Sequence, residues 1–254
     1  MGKTKRRPEK AAAGGKKKVA RKATAPAAPA PGSNWARLKA SLTATAKPKG
    51  SKHAATDLKA REAAAAAAPA AAAPVAPLAA DACVALDCEM VGVGAGGKES
   101  VLARCSVVDG SGAVVYDKHV RVEERVSDFR TKFSGVRARD LKAADAVDFK
   151  RCQRDVADLL DGKLLVGHAL HNDLKVLLLP HPARQTRDTA RWPPLMRVNG
   201  RGKKRPRKLR DLAKEHLGLT IQEGEHGSVE DARAALALYA KFRSDWEQSL
   251  RGSS

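Results

Sequence analysis

The stretch Cys83-Val84-Ala85-Leu86-Asp87-Cys88-Glu89-Met90-Val91-Gly92-Val93 reads as a buried strand. Successive side chains of a strand point to opposite faces. Val84, Leu86, Cys88 and Met90 therefore share one apolar face, and Asp87 and Glu89 fall together on the other. Two carboxylates in mid-strand are costly to bury unless something compensates, and a divalent cation is one such compensation. A solvated outer face and a strand-end salt bridge are the alternatives, and this pair alone does not choose among the three.

Composition narrows the partners. The 254 residues carry a net charge of +20 and a pI near 10.1, which makes an acidic partner, nucleic acid first, the natural expectation. The charge is uneven: residues 1–62 hold 17 Lys and Arg against three acids, and the remainder holds 31 against 25. Residues 1–81 read as a disordered basic and Ala/Pro-rich tail, because few large apolar residues are present to offset the entropy of ordering. Its Lys clusters suit a nuclear or nucleolar address or an RNA-gripping arm; a solubilising tail and an organelle transit peptide are weaker alternatives. Ala63 to Ala80 is uncharged, but Pro69, Pro74 and Pro77 interrupt it, so it reads as a stiff linker and not a membrane span. Trp35 to Leu42 could form a short amphipathic piece. Cys83, Cys88, Cys105 and Cys152 show no Cys-x-x-Cys spacing and read as free core thiols in a reducing compartment.

From residue 82 to 250 the pattern is that of one α/β domain. Ser100 to Asp109 and Ala113 to Val122 are two further strands joined by the turn Asp109-Gly110-Ser111-Gly112. A loop from Ser127 to Gly135 precedes helices at Ala138 to Ala144 and Phe149 to Leu160. Lys163 to His168 is a short buried strand, and His171 to Leu179 a helix stopped by Pro180. Arg187-Asp188-Thr189 ends a connecting segment. Leu209 to Leu217 is a helix closed by Gly218, and Ser228 to Leu250 is a long final helix. A meander followed by alternating strands and helices predicts a mixed sheet flanked by helices.

Acids recur where a core would exclude them. Asp173 lies in the first turn of the helix after the fourth strand, where the helix dipole alone could explain it. Asp231 steps by helical spacing onto Ala235, Leu238 and Phe242, so it points inward, whereas Glu230 faces water. Ser228 to Asp231 resembles a capping-box start. His226 sits on the preceding loop, between Gly224 and Gly227, where a general base would have room to move. Asp87, Glu89, Asp173 and Asp231 can hold two divalent cations about 4 Å apart, Mg²⁺ or Mn²⁺ by the hardness of the ligands.

Three ordered segments make the chain resemble a known family. Leu86-Asp87-Cys88-Glu89-Met90-Val91-Gly92, Val166-Gly167-His168-Ala169-Leu170-His171-Asn172-Asp173-Leu174-Lys175 and His226-Gly227-Ser228-Val229-Glu230-Asp231-Ala232 resemble the DEDDh 3′-to-5′ exonucleases of the ribonuclease H-like superfamily, in the RNA exonuclease 4 branch. Tyr116-Asp117-Lys118, Asp128 to Thr131 with Ser134-Gly135, and Arg187-Asp188-Thr189 support the likeness, which covers Cys83 to Trp246. The resemblance implies that the four acids bind the metals and that His226 is the general base. It implies substrate contacts at Met90 and Arg130, although the strand reading buries Met90 and an ion pair would also account for Arg130. His168 and Asn172 are expected to support their loop. Gly227 stands where the family pattern has Ser or Cys, and it removes no ligand.

The reaction so implied is hydrolysis of the last phosphodiester of a single-stranded 3′ end, yielding a nucleoside 5′-monophosphate, with RNA favoured and DNA open. Arg197 to Arg210 holds eight Lys and Arg and no acid, and its Gly200, Gly202 and Pro206 make it read as a loop. Arg201, Lys203, Lys204, Arg205, Arg207 and Lys208 are the expected phosphate contacts; a second import signal is the compatible alternative. The family also implies ribosomal RNA processing, with pre-ribosomal particles as the expected partner; the basic tail points to the nucleus and nucleolus, and a monomer with no membrane partner is expected. The competing reading is a non-catalytic RNA-binding assembly factor that keeps the fold.

Overall fold

The computed structural model describes Met1 and residues 80–252. The expected tail up to residue 79, its Ala/Pro linker and the segment from Trp35 to Leu42 lie outside the described residues. Among the described residues no helix is long and apolar enough to cross a membrane.

One mixed sheet organises the domain. Its strands are β1 (Cys83–Val93), β2 (Glu99–Asp109), β3 (Val114–His119), β4 (Val126–Asp128), β5 (Leu164–Gly167) and β6 (Thr186–Asp188). The order is β3-β2-β1-β5-β6, with β4 pairing the far end of β1. The first three strands are antiparallel, and β5 and β6 run parallel to β1. The β2–β3 turn forms as its residues dictate: Asp109 Oδ1 accepts from Ser111 N (2.8 Å), Ser111 Oγ (2.7 Å) and Ala113 N (3.0 Å), and Gly112 takes φ 79°.

Helices α1 (Phe149–Leu160), α2 (His171–Leu177), α3 (Leu209–Leu212) and α4 (Ser228–Arg251) flank the sheet, and two four-residue helical turns, Thr131–Ser134 within the expected loop and Ala138–Leu141, follow β4. Val84, Leu86 and Cys88 pack on one side of β1 with Cys152, Val156 and Leu160 of α1 and Leu177 of α2. Cys83 and Ala85 pack on the other side with Ala232, Ala235 and Leu238 of α4. Trp192 and Trp246 close that second layer as stacked rings 4.6 Å apart. Each fully buried Leu or Val here contributes about 1.5–3 kcal/mol of burial free energy. The β5–α2 junction requires glycine at Gly167, where a Cβ would lie 2.4 Å from Leu170 Cδ2 and 2.9 Å from the Leu86 carbonyl.

Several expectations need correction. β1 is apolar on both faces, because it is a central strand; Asp87 and Glu89 continue the face that Cys83 and Ala85 present to α4. A bulge between Glu89 and Met90 shifts the register, and Met90 is half-buried, packed against the core layer of Val84, Leu86 and Cys88 and lining a cleft as well. Thr186–Asp188 is a parallel strand, not a connecting segment. Arg197 to Arg210 is not a plain loop: β7 (Arg197–Val198) and β8 (Lys204–Arg205) form a small antiparallel ladder. Ser228 does not cap α4; the N-cap is Gly227 without a side-chain bond, and Ser228 Oγ is spent on Ser106 Oγ at 2.6 Å. The helix beginning at Leu209 passes into a π-helical turn at Ala213–Leu217 before Gly218 ends it in the left-handed region as expected. All four cysteines are free and buried.

Candidate active site

Strand β1 and the first turn of α4 bring the acids together. Carboxylate oxygens of Asp87, Glu89 and Asp231 all lie within 4.8 Å of one another. Glu89, Asp173 and Asp231 are buried, and Asp87 is partly so. Asp173 enters from α2 and is the fourth acid beside this trio, since its Oδ1 accepts the backbone N–H of Cys88 at 2.9 Å. That bond ties α2 to the Asp87–Cys88 peptide.

Electrostatics make the cluster costly as it stands. Burial, followed by the charges of Asp173, Asp231 and Glu89, holds the Asp87 carboxyl well above the usual carboxylate range. Burial and then the Asp231 charge push Glu89 up to about 9. Burial raises Asp173 to about 7, against the Cys88 N–H that lowers it. Burial raises Asp231 to about 6, although Gln222 Nε2 donates to its Oδ2 at 2.8 Å. Arg104, whose charge acts against these shifts at Asp87 and Glu89, is committed elsewhere: its Nε and Nη2 donate to Asp117 Oδ1 and Oδ2 at 2.8 Å each. Glu89 Oε1 and Asp231 Oδ1 are buried with no hydrogen-bond partner. Hard oxygen donors converging in this way, two of them orphaned, fit a divalent cation.

His226 stands over the cluster, its Nδ1 3.9 Å from Asp231 Oδ2. Burial, with the charge of Arg210, lowers its pKa, which favours the neutral, proton-accepting imidazole near pH 7. Its loop is held on the outside: His226 N donates to the Phe133 carbonyl at 2.8 Å, and the Arg137 guanidinium pairs with Glu225, with Nη1 to Oε2 at 2.9 Å.

Two clefts meet at Asp87, Cys88 and His168. Met90, Arg130, Asn172 and Asp173 line one; Glu89, Phe133, Lys208, Arg210, Gln222, His226 and Asp231 line the other. Arg130 already serves the fold, since its Nη1 donates to Ser100 Oγ and its Nη2 to the Gly97 carbonyl, both at 2.8 Å. Of the basic run, Lys208 and Arg210 reach the acid cleft and Arg207 pairs with Glu215. Arg201, Lys203, Lys204 and Arg205 are exposed on the β7–β8 hairpin and do not line it. His168 Nδ1 lies 2.9 Å from Thr189 Oγ1, which supports its loop, yet the ring also lines both clefts. Phe133 and Gln222 carried no local signal that would have placed them at the site, whereas Arg210 closes the basic run already singled out; Gln222 gets there through a left-handed backbone, φ 59°.

The chain is similar to known exonucleases. A family model described as "Exonuclease" (RNase_T) matches residues 84–239. RNA exonuclease 4 of Mycosarcoma maydis is 50% identical over 173 residues, covering 67% of this chain and 45% of that protein. Human RNA exonuclease 4 is 48% identical over 168 residues, covering 66% and 39%. The chain thus spans less than half the length of these relatives. Among solved structures, the Saccharomyces cerevisiae Pan2 pseudoubiquitin hydrolase–RNA exonuclease module in complex with AAGGAA RNA superposes with TM-score 0.58 at 34% identity, over 65% of this chain and 29% of that one. The Neurospora crassa Pan2 catalytic unit gives TM-score 0.57 at 27% identity, over 67% and 28%.

Proposed function

The chain belongs to the RNase_T exonuclease family, with a ribonuclease H-like fold and RNA exonuclease 4 as its similar relatives, and from that membership we propose that residues 82–250 remove nucleoside 5′-monophosphates from the 3′ end of single-stranded RNA. The observation that carries the proposal is the convergence of Asp87, Glu89 and Asp231, with Asp173 tied to the Cys88 peptide and His226 over Asp231.

Asp87, Glu89, Asp173 and Asp231 would hold two divalent cations, Mg²⁺ or Mn²⁺. Such cations, when bound, stabilise charge on the phosphate and on the departing oxygen, and make water a stronger nucleophile. The protein's own groups do the rest. His226 accepts the proton of the attacking water; the water oxygen bonds to phosphorus as the P–O3′ bond breaks. Gln222 fixes one oxygen of Asp231, which keeps that carboxylate aimed at the cluster. Lys208 and Arg210 bind phosphate beside the acids, and Met90 and Arg130 flank the terminal nucleotide in the adjoining cleft. The exposed cations of the hairpin, Arg201, Lys203, Lys204 and Arg205, attract the strand upstream without reading sequence. The basic tail suits a nucleolar protein acting on pre-ribosomal RNA.

RNA labelled at either end tests the reading. With Mg²⁺, a 3′ label should leave at once as mononucleotide while a 5′ label shortens one step at a time, and EDTA or a 3′-phosphate should stop both. Internal cuts, or trimming that EDTA leaves untouched, would overturn it.

A further inference from the structure

Arg104 of β2 pairs in register with Glu89 of β1, and Ser106 with Asp87; on the next strand, Asp117 of β3 pairs with Ser106. Directly opposed residues of an antiparallel ladder share a face, and so do residues two apart along a strand. Arg104, Ser106 and Asp117 therefore lie on the same face of the sheet as the two strand acids. Directly opposed Cβ atoms stand about 4.5–5.5 Å apart, which puts Glu89 within reach of an arginine side chain. The charge of Arg104 is felt at both Asp87 and Glu89. The direct cross-strand ion pair is nevertheless not made. Arg104 reaches across the diagonal to Asp117, with Nε donating to Oδ1 and Nη2 to Oδ2, both at 2.8 Å. Ser106 Oγ donates to Asp117 Oδ1 at 2.9 Å, which uses its only proton, so in the 2.6 Å contact with Ser228 the Ser228 hydroxyl is the donor. Three hydrogen bonds thus hold Asp117, and the network ends at the first residue of α4. Asp140, another acid whose charge reaches Arg104, is engaged already, since its Oδ2 accepts Arg137 N at 2.8 Å. Glu89 Oε1 is buried with no partner. A fold selected for stability alone would not leave that oxygen bare opposite an arginine.

We propose that Asp117 is a positioning residue for metal binding: it clamps Arg104 away from Glu89 and so keeps that carboxylate free for a divalent cation. This deepens the exonuclease reading and rests on it. An Arg104–Glu89 pair would set a fixed positive charge where the cation has to sit and would occupy the oxygens that ligate it. Ser106 and Ser228 tie the clamp to the start of α4, so the helix that carries Asp231 is joined to the side chains that withhold Arg104.

Thermal denaturation of the full chain at pH 7.5 without RNA, across a range of Mg²⁺ concentrations, tests the clamp. Asp117→Asn keeps the size of the side chain and gives up its charge and one acceptor. It should raise the Mg²⁺ concentration for half-maximal stabilisation about tenfold or more. Adding Arg104→Gln to it should bring that concentration back to within about threefold of wild type. Arg104→Gln alone removes the guanidinium without freeing it, and should leave the midpoint at or below the wild-type value. A wild-type midpoint in Asp117→Asn overturns the proposal. So does a double variant as weak as Asp117→Asn, or an Arg104→Gln midpoint raised about tenfold, because the network would then only support the sheet. In EDTA, the stabilisation that Glu89→Gln brings should largely vanish once Asp117→Asn is present, since the released guanidinium then pairs with Glu89; simple additivity of the two substitutions would also sink the clamp. If neither Mg²⁺ nor Mn²⁺ stabilises the wild type, the metal site and the exonuclease reading fall, and the coupling in EDTA still decides whether Asp117 holds Arg104 off Glu89.

Discussion

Replacing Glu89 by glutamine should make the metal-free protein more stable while removing its activity. Glu89 is buried at 7% exposure and its carboxyl is pushed up to about 9 from an ordinary 4.5, by burial and then by the Asp231 charge. An acid whose folded pKa is raised leaves stability intact below its unfolded pKa and drains it as pH rises towards the folded value. At pH 7.5 the unfolded chain has released this proton and the folded chain still holds it. At about 1.4 kcal/mol per pH unit above 4.5, the cost is roughly 4 kcal/mol. At pH 5 it is under about 1 kcal/mol. Glutamine carries no such proton, so Glu89→Gln should raise the melting temperature in EDTA on the order of 10 °C at pH 7.5. At pH 5 the gain should nearly vanish. Thermal denaturation of both proteins at the two pH values reads this directly, and saturating Mg²⁺ should stabilise the wild type much more than the variant. A variant no more stable than wild type at pH 7.5 in EDTA, or one whose advantage is the same at pH 5, would refute the electrostatic account.

Other consequences are more local. Arg187 Nε and Nη2 donate to Glu247 at 2.7 and 2.8 Å, and the pair holds Glu247 below its ordinary range; its contribution is present above about pH 4.5 and lost as pH falls through the folded value, so Glu247→Gln should lower stability by about 1–3 kcal/mol at pH 7 and by little in acid, as urea titrations would show. Gly167→Ala forces a Cβ against Leu170 and the Leu86 carbonyl, and should cost about 1–3 kcal/mol in the same titration. Neutralising Lys203, Lys204 and Arg205 together should raise KM for long RNA and flatten its dependence on salt, with the slope falling by roughly 0.7 per charge removed that contacts phosphate.

Three of the four clustered acids were legible because each breaks a pattern. Asp87 and Glu89 interrupt an apolar strand, and Asp231 interrupts the inward stripe of α4 that Ala235 and Leu238 continue. Periodicity carries that information from sequence alone. Other contributions have no period. The bulge after Glu89 is a feature of the pairing between β1 and β2, and Met90 beside it lines the cleft while still packing on the core. Ser228 looked like a cap because a cap is a local motif, but Ser106 on β2, distant in sequence, claims its hydroxyl. Gln222 reaches the site from a loop and Phe133 from the short helix Thr131–Ser134, in positions that only the tertiary contacts fix. The β7–β8 hairpin escaped because Gly200 and Gly202 mark a turn without showing that two-residue strands flank it.

Single-turnover hydrolysis of 5′-labelled single-stranded RNA at pH 7.5, with Mg²⁺ and with EDTA, tests most directly whether the four acids act as one site. Wild type should shorten the RNA stepwise with Mg²⁺ and leave it intact in EDTA. Asp87→Asn, which removes one of the clustered carboxylates, and Asp173→Asn, which removes the acid tied to Cys88, should each slow hydrolysis by about a hundredfold or more while the proteins stay folded. Hydrolysis at the wild-type rate in either variant, or in EDTA, would contradict the assignment.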